Sequence, residues 1–404
     1  EMCIRDSLYI FFIVSFAVTA QGQRREISQA RQWVKRGNNL DKAEKSMRSL
    51  LNDSTNRSNK KIWLTLFEAV RKQYEQGNEK LYLKQKYDTT RLFSLARNMF
   101  EDLQAFDSID ALPNKRGKVA PAYRSEHAQY LHQIRPNLFN GGAFFLNKKK
   151  YAEAYQMYNT YIQSAYEPLF EKYQYVEKDR RMPEASYWAA FSAYQLKNYD
   201  ATLQHSHLAL KDSVHYPYML QYLANIYEEK KDTTMYLKVL DEGFTTHPSF
   251  PFFFPRLVDY YVMTKQFDNA LDVIDRALAV DSTNQLYQFA KSTVLLNTGR
   301  YDGCIQICDD LIAKNDSMPE PYLNAGLAYF NQAVLLDNDT KLSKKNRKQI
   351  LGYYHKALPY LERYRALAPE MKDKWGTPLY TIYLNLNMGK EFEEIDRIIN
   401  QKQK

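Results

Sequence analysis

Cys304 and Cys308 stand four residues apart, a spacing that sets two thiols on one face of a helix. Such a pair could contribute to a soft-metal site or cycle between thiol and disulfide, but a metal site needs further ligands. No third cysteine and no histidine stands at ligand spacing beside them, and the remaining cysteine is Cys3. The seven histidines (His127, His132, His205, His207, His215, His247 and His355) are scattered. His205 and His207, two apart on a helix, point to different faces and do not share a ligand. None of HExxH, GxSxG, GxxxxGK[ST] or GxGxxG occurs. No catalytic residue, metal or cofactor is expected, and the two thiols are read as small residues filling core slots.

The elements that position these residues repeat. Pro183, Pro217, Pro251, Gln285 and Pro319 each fall 34 residues after the last. The clearest copy, Pro251–Asn284, places Phe254, Leu257, Val258 and Tyr261 on one helical face. A second helix follows with Phe267, Ala270, Ile274 and Ala277. This period and pattern resemble the tetratricopeptide repeat (TPR), in which each unit is one helix–turn–helix. The resemblance implies an all-α fold, a right-handed superhelical solenoid of stacked helix pairs, and a binding scaffold of the exported bacterial type. One position of the second helix must be small because two helices approach closely there; Ala154, Thr202, Tyr236, Ala270 and Cys304 occupy it. Tyr236 breaks the rule, so the unit from Pro217 is expected to be splayed or shifted.

Outside the regular copies the phase slips. The unit starting near Arg135 carries about 14 surplus residues around Tyr166–Met182, expected as a lengthened second helix and its exit loop. The unit from Pro319 resumes its pattern at Ala357, after a polar loop Asp337–Arg347. A last unit is placed from about Gly376, with Phe392 opening its second helix. In the N-terminal third, Ile27–Arg36 and Leu40–Leu50 read as a degenerate pair, followed by longer helices at Lys61–Gln76 and Leu81–Phe106. Gly141-Gly142 reads as a close helix contact. The organisation expected is a leader at 1–20, degenerate repeats at 21–118, a transitional repeat at 119–182 and a regular array at 183–404 with its insertion at about 331–349.

Leu8–Ala20 is an apolar run with Val18-Thr19-Ala20 before Gln21, the pattern of a cleavable signal peptide, and implies an exported, periplasmic protein. Glu1–Ser7 lacks an initiating Met and sets Asp6 against that run; it is read as extraneous. The run is too short for a stable membrane span, so none is expected after its removal. Basic residues exceed acidic ones by 56 to 47, an excess that suits acidic partners. No nucleic-acid-binding motif accompanies it, and no nucleic acid is expected. Lys341–Lys348 is read as a solvated loop offering a weak contact to an anionic surface.

The resemblance also assigns a peptide-binding groove. Carried over by position, it comprises Tyr187, Phe191, Tyr194, Tyr218, Gln221, Asn225, Phe252, Asp259, Phe289, Asn297, Leu323 and Phe330; Tyr222, Arg256 and Asn324 are added beside them as expected peptide contacts. Rings would bury area and amides would bond a peptide backbone. The Lys/Asn pattern by which some relatives grip a C-terminal carboxylate is missing. A non-catalytic scaffold for a protein or peptide is therefore expected; the alternative is a helical accessory subunit or region of an envelope enzyme or assembly complex. If Ala270 holds the tight position, Ala270→Leu overpacks it and costs about 1–3 kcal/mol in a denaturant melt. An unchanged melt would remove Ala270 from that position.

Overall fold

Once per repeat the backbone makes the same turn. Lys197, Lys231, Lys265 and Gly299 take left-handed φ values of 57°, 58°, 59° and 76°. Each ends a first helix, and the next residue's N–H reaches back five residues to a carbonyl: Asn198 to Ala193, Asp232 to Tyr227, Gln266 to Tyr261 and Arg300 to Leu295, at 2.7–2.9 Å. This is the Schellman closure, which satisfies carbonyls that a helix end leaves unpaired. Lys149 makes the same turn one unit earlier, offset by the surplus residues. Left-handed backbone disfavours a lysine relative to glycine, but its cation suits the negative end of the helix dipole.

The structure, a computed structural model, describes residues 22–114, 116–338 and 344–400. The expected leader and the first residues of the 341–348 run lie outside the described residues. Among those described no strand occurs, and consecutive helices pack as antiparallel pairs. The regular pairs are Met182–Gln195 with Tyr199–Ala209, Phe253–Met263 with Phe267–Val280, and Gln285–Asn297 with Tyr301–Lys314. Contacts divide the chain into two compact units after Ile226, inside the repeat whose tight position is Tyr236.

In the first unit the helix at 22–36 pairs with Leu40–Asn52, burying Leu40, Ala43 and Met47. Lys60–Tyr82 and Thr89–Asp110 follow. The second begins later than the pattern suggested, because Lys84 turns left-handed and Asp88 caps Thr90 N–H. Arg48 makes a bidentate pair with Asp102, and Glu44 joins Arg48, Arg91 and Gln73, tying these three helices by charge. Burial pushes the Asp102 carboxyl up to about 6 against the pull of Arg48. Gly142 lies where a Cβ would meet the Tyr158 ring, the close helix contact expected there.

In the second unit the tight residues Ala270 and Cys304 are fully buried, as are Thr202 and Ala154 in the first. Tyr236 is also buried, and beside it Gly243 leaves room for the Phe253 ring. Pro319–Asp337 and Arg347–Leu367 form the extended pair, closed where Gly326 meets Leu361. The final pair is Lys372–Asn385 with Gly389–Asn400. Its second helix thus opens at Gly389 rather than at Phe392, because the left-handed turn falls on Asn387 and Met388 N–H closes on Tyr383.

The surplus residues after Gln163 do not lengthen the helix. They form two 3-10 turns, Ser164–Tyr166 and Pro168–Tyr173, and one helical turn, Tyr175–Lys178. Pro168 lacks the N–H that a continuing helix needs. Arg135 holds this segment. Its guanidinium carbon lies 3.7 Å from the Tyr161 ring centre and 3.9 Å from that of Tyr175. Its nitrogens reach Asp179, Ser164 Oγ and the Tyr161 carbonyl. Burial alone would raise the Asp179 carboxyl, but hydrogen bonds from Tyr161 and Arg135 outweigh it and hold the group below its usual value. Arg135→Met should cost about 3 kcal/mol or more, as for other buried charges left without a partner. It should also open 164–181 to trypsin; unchanged cleavage would show that Arg135 does not hold the segment.

Candidate functional site

Two helices of the first unit carry rings along one side. In Met182–Gln195, Pro183 starts the helix, and Ala185, Ala189, Ala190 and Ala193 turn into the core. Tyr187, Phe191 and Tyr194, spaced about one turn apart, lie opposite that alanine stripe, and Trp188 beside Tyr187 packs partly against the core. In Tyr216–Glu229 the core face is Met219, Leu220, Leu223 and Ala224, and the other side carries Tyr218, Tyr222 and Asn225.

These side chains form one aromatic cluster. Tyr194 stacks on Tyr222 with ring centres 4.6 Å apart, and Tyr187 stacks on His215 at 4.1 Å. Trp188 meets both Tyr187 and His215 edge to face, and Phe191 lies 6.1 Å from Tyr222. Polar tips are matched within the cluster: Tyr187 and Tyr222 hydroxyls lie 3.4 Å apart, Asn225 Nδ2 donates to Tyr194 at 2.9 Å, and His215 Nδ1 lies 2.7 Å from Asp212. Burial pushes the phenols of Tyr187 and Tyr222 above their ordinary value, so both remain protonated donors at neutral pH. Tyr187 is buried, Phe191, Tyr194, Tyr222 and Asn225 are half-buried, and Tyr218 is 45% exposed. Trp188 and His215 were absent from the positional assignment. The Tyr187-Trp188 doublet beside Phe191 was the available signal for the first; the stacking of His215 depends on side-chain packing that no spacing encodes.

The second unit is less consistent. Arg256 lies over its own helix neighbour Phe252, 3.7 Å from the ring centre. Asn297 is exposed and donates to the Thr293 carbonyl one turn back. Phe289 is half-buried, and Phe330 lies 6.0 Å from Tyr354. Asn324 is buried, and its amide bonds Ser292 Oγ and Thr293 Oγ1 between helices. That amide is spent inside the core.

The residues with reactive side chains are enclosed. Cys304 and Cys308 are free and buried, and Cys304 Sγ faces the Asn324 carbonyl. Among the described residues no group of three His, Cys, Asp or Glu is placed to hold a metal ion. No helix among them is long and apolar enough to cross a membrane.

No protein-family model matches the chain, and no curated protein matches it. Solved structures that resemble it are TPR proteins. The C-terminal part of a TPR repeat-containing protein from Cytophaga hutchinsonii shares 14% identity over 64% of this chain and 92% of that one, at a TM-score of 0.43. Yeast Tom70 shares 12% over 95% and 91%, at 0.33, and the TPR domain of P58(IPK) 10% over 94% and 99%, at 0.26. With scores this low, the fold rests on the chain's own helices and turns.

His205 is buried against Tyr155, its Nε2 has no hydrogen-bond partner, and burial lowers it from 6.5 to about 4. Its folded value lies below the unfolded one, so the unfolded state binds more protons in that window. Stability should fall as pH drops from 6.5 towards 4. The stability gap between wild type and His205→Gln should narrow between about pH 7 and about pH 4.5 in urea melts. A constant gap would show that the buried ring does not titrate this way.

Proposed function

We propose that this chain is a non-catalytic, exported scaffold that binds an extended segment of a partner protein across the ring-bearing side of 182–229. The aromatic cluster carries this reading. Soluble surfaces rarely gather Phe191, Tyr194, Tyr218 and Tyr222 in one place without a partner to cover them. Within the second unit, taken by itself, Arg256, Phe289, Asn297 and Phe330 are proposed as further peptide contacts, with weaker support because Arg256 is engaged by Phe252. The apolar run Leu8–Ala20 supports a cleaved leader and a periplasmic location. The organisation proposed is leader, degenerate repeats to 118, a transitional repeat to 182, and the regular array beyond. The exposed cations Lys344, Lys345, Arg347 and Lys348 provide a secondary, salt-sensitive contact for anionic surfaces.

Pull-down from an envelope extract separates the two surfaces. A partner held by the rings should be lost on Phe191→Ala with Tyr218→Ala, each true anchor contributing at least about 2 kcal/mol, roughly thirtyfold in affinity. It should persist when Lys344, Lys345 and Arg347 are neutralised. The reverse result would make the basic segment the recognition element.

A further inference from the structure

We infer that one end of the first unit docks on an anionic lipid bilayer, through a surface separate from the ring cluster. Charge is the first observation. Residues 22–61 hold eleven basic and four acidic side chains, an excess of seven, while the whole chain has a net charge of +9. In the helix at 22–36, Ile27, Ala30 and Val34 turn into the core. Arg24, Arg31 and Lys35 share one outer face, Arg25 and Arg36 lie on the next, and all five are exposed. None of the five joins an ion pair among the described residues, and the one acid of that helix, Glu26, accepts from Ser46 Oγ. A cluster of about four to eight cations on an amphipathic helix is suited to acidic lipid headgroups.

The second observation is apolar. Lys72 Nζ reaches the Val34 carbonyl and Gln76 Nε2 the Gly37 carbonyl, at 2.9 and 3.0 Å, so Gln76 lies beside the turn that ends the helix at 22–36. From Gln76 to Tyr82 the helix Lys60–Tyr82 rises about 9 Å further. At this projecting tip Tyr82 is 85% and Leu83 56% exposed, while Leu81 and Tyr87 pack back against the core. The turn is held by its own backbone: Lys84 is left-handed, and Gln85 N–H closes on the Lys80 carbonyl at 2.8 Å. Lys80, Lys84 and Lys86 are exposed around the apolar pair. The acids at this end are Asp41, Glu79 and Asp88, and Asp88 is engaged in capping Thr90 N–H. Cations and tip together select the occupant. A nucleic acid would use the cations and leave Tyr82 and Leu83 in water. A peptide needs a groove, whereas this tip projects. An acidic bilayer offers headgroups to the cations and an apolar layer beneath them to Tyr82 and Leu83, with lysine stems reaching back to the interface.

Co-sedimentation with lipid vesicles tests this on the mature chain from Gln21, so that Leu8–Ala20 cannot itself hold a vesicle. Vesicles carrying phosphatidylglycerol should bind at least about tenfold more tightly than vesicles of phosphatidylcholine alone, and the difference should shrink with added salt. Arg24→Gln, Arg31→Gln and Lys35→Gln together should weaken binding about a hundredfold, at about fivefold for each cation. Tyr82→Ser with Leu83→Ser should weaken it about tenfold. These side chains stand in solvent, so the helical signal by circular dichroism should be unchanged in both variants. Equal binding to neutral vesicles, or binding by either variant as tight as by wild type, would overturn the inference. Duplex DNA held as tightly as the anionic vesicles would make the surface a general polyanion site and overturn it too. So would a loss of vesicle binding on neutralising Lys344, Lys345 and Arg347, which would place the contact in the second unit. Phe191→Ala with Tyr218→Ala should leave vesicle binding intact, so the groove and the docking surface are read separately.

Discussion

Everything in this chain depends on how closely two helices can approach. A single helix pair cannot bury its own apolar side, so each must seat against a neighbour at near backbone contact. Ala154, Thr202, Ala270 and Cys304 are fully buried at the contact, and each is small enough to permit it. Thr202 turns its hydroxyl back to the Asn198 carbonyl and so hides its only polar atom. The same constraint explains the thiols. Cys304 is held where a small apolar residue is needed, which removes it from solution chemistry.

Where the chain departs from the regular pair, it adds charge to shape. The surplus segment after Gln163 buries Leu169, Phe170 and Tyr175 and is fastened in addition by a cation between two rings. The N-terminal helices are joined by Arg48, Arg91, Glu44 and Asp102 in the same manner. In contrast, the ring cluster is held by alanines beneath it. That stripe lets the Met182–Gln195 helix pack closely, with Tyr187 buried and Phe191 and Tyr194 half-buried on the opposite side.

The helices from Met182 to Lys314 were legible because the 34-residue spacing and the small tight positions reinforce each other. The final pair was misplaced by three residues because Phe392 resembles a helix opener. The true signal was Asn387 before Gly389, since asparagine tolerates left-handed backbone. The 3-10 turns at Ser164–Tyr173 were hidden because Arg135, which organises them, is distant in sequence. Among the proposed groove residues, position alone could not separate Asn324, committed to Ser292 and Thr293, from Asn225, which sits beside rings.

The recurring turn at Lys197, Lys231, Lys265 and Gly299 has a consequence for how such a chain can change. Each turn joins the two helices of one repeat and satisfies its carbonyls from within that repeat, so its backbone bonds do not depend on a neighbouring repeat. A whole repeat can therefore be gained or lost as a block with its chemistry intact. The segment after Gln163, being a fraction of a repeat, could only be accommodated together with its own arginine. The grammar of this chain accepts new words freely, but a new syllable must bring its own fastening.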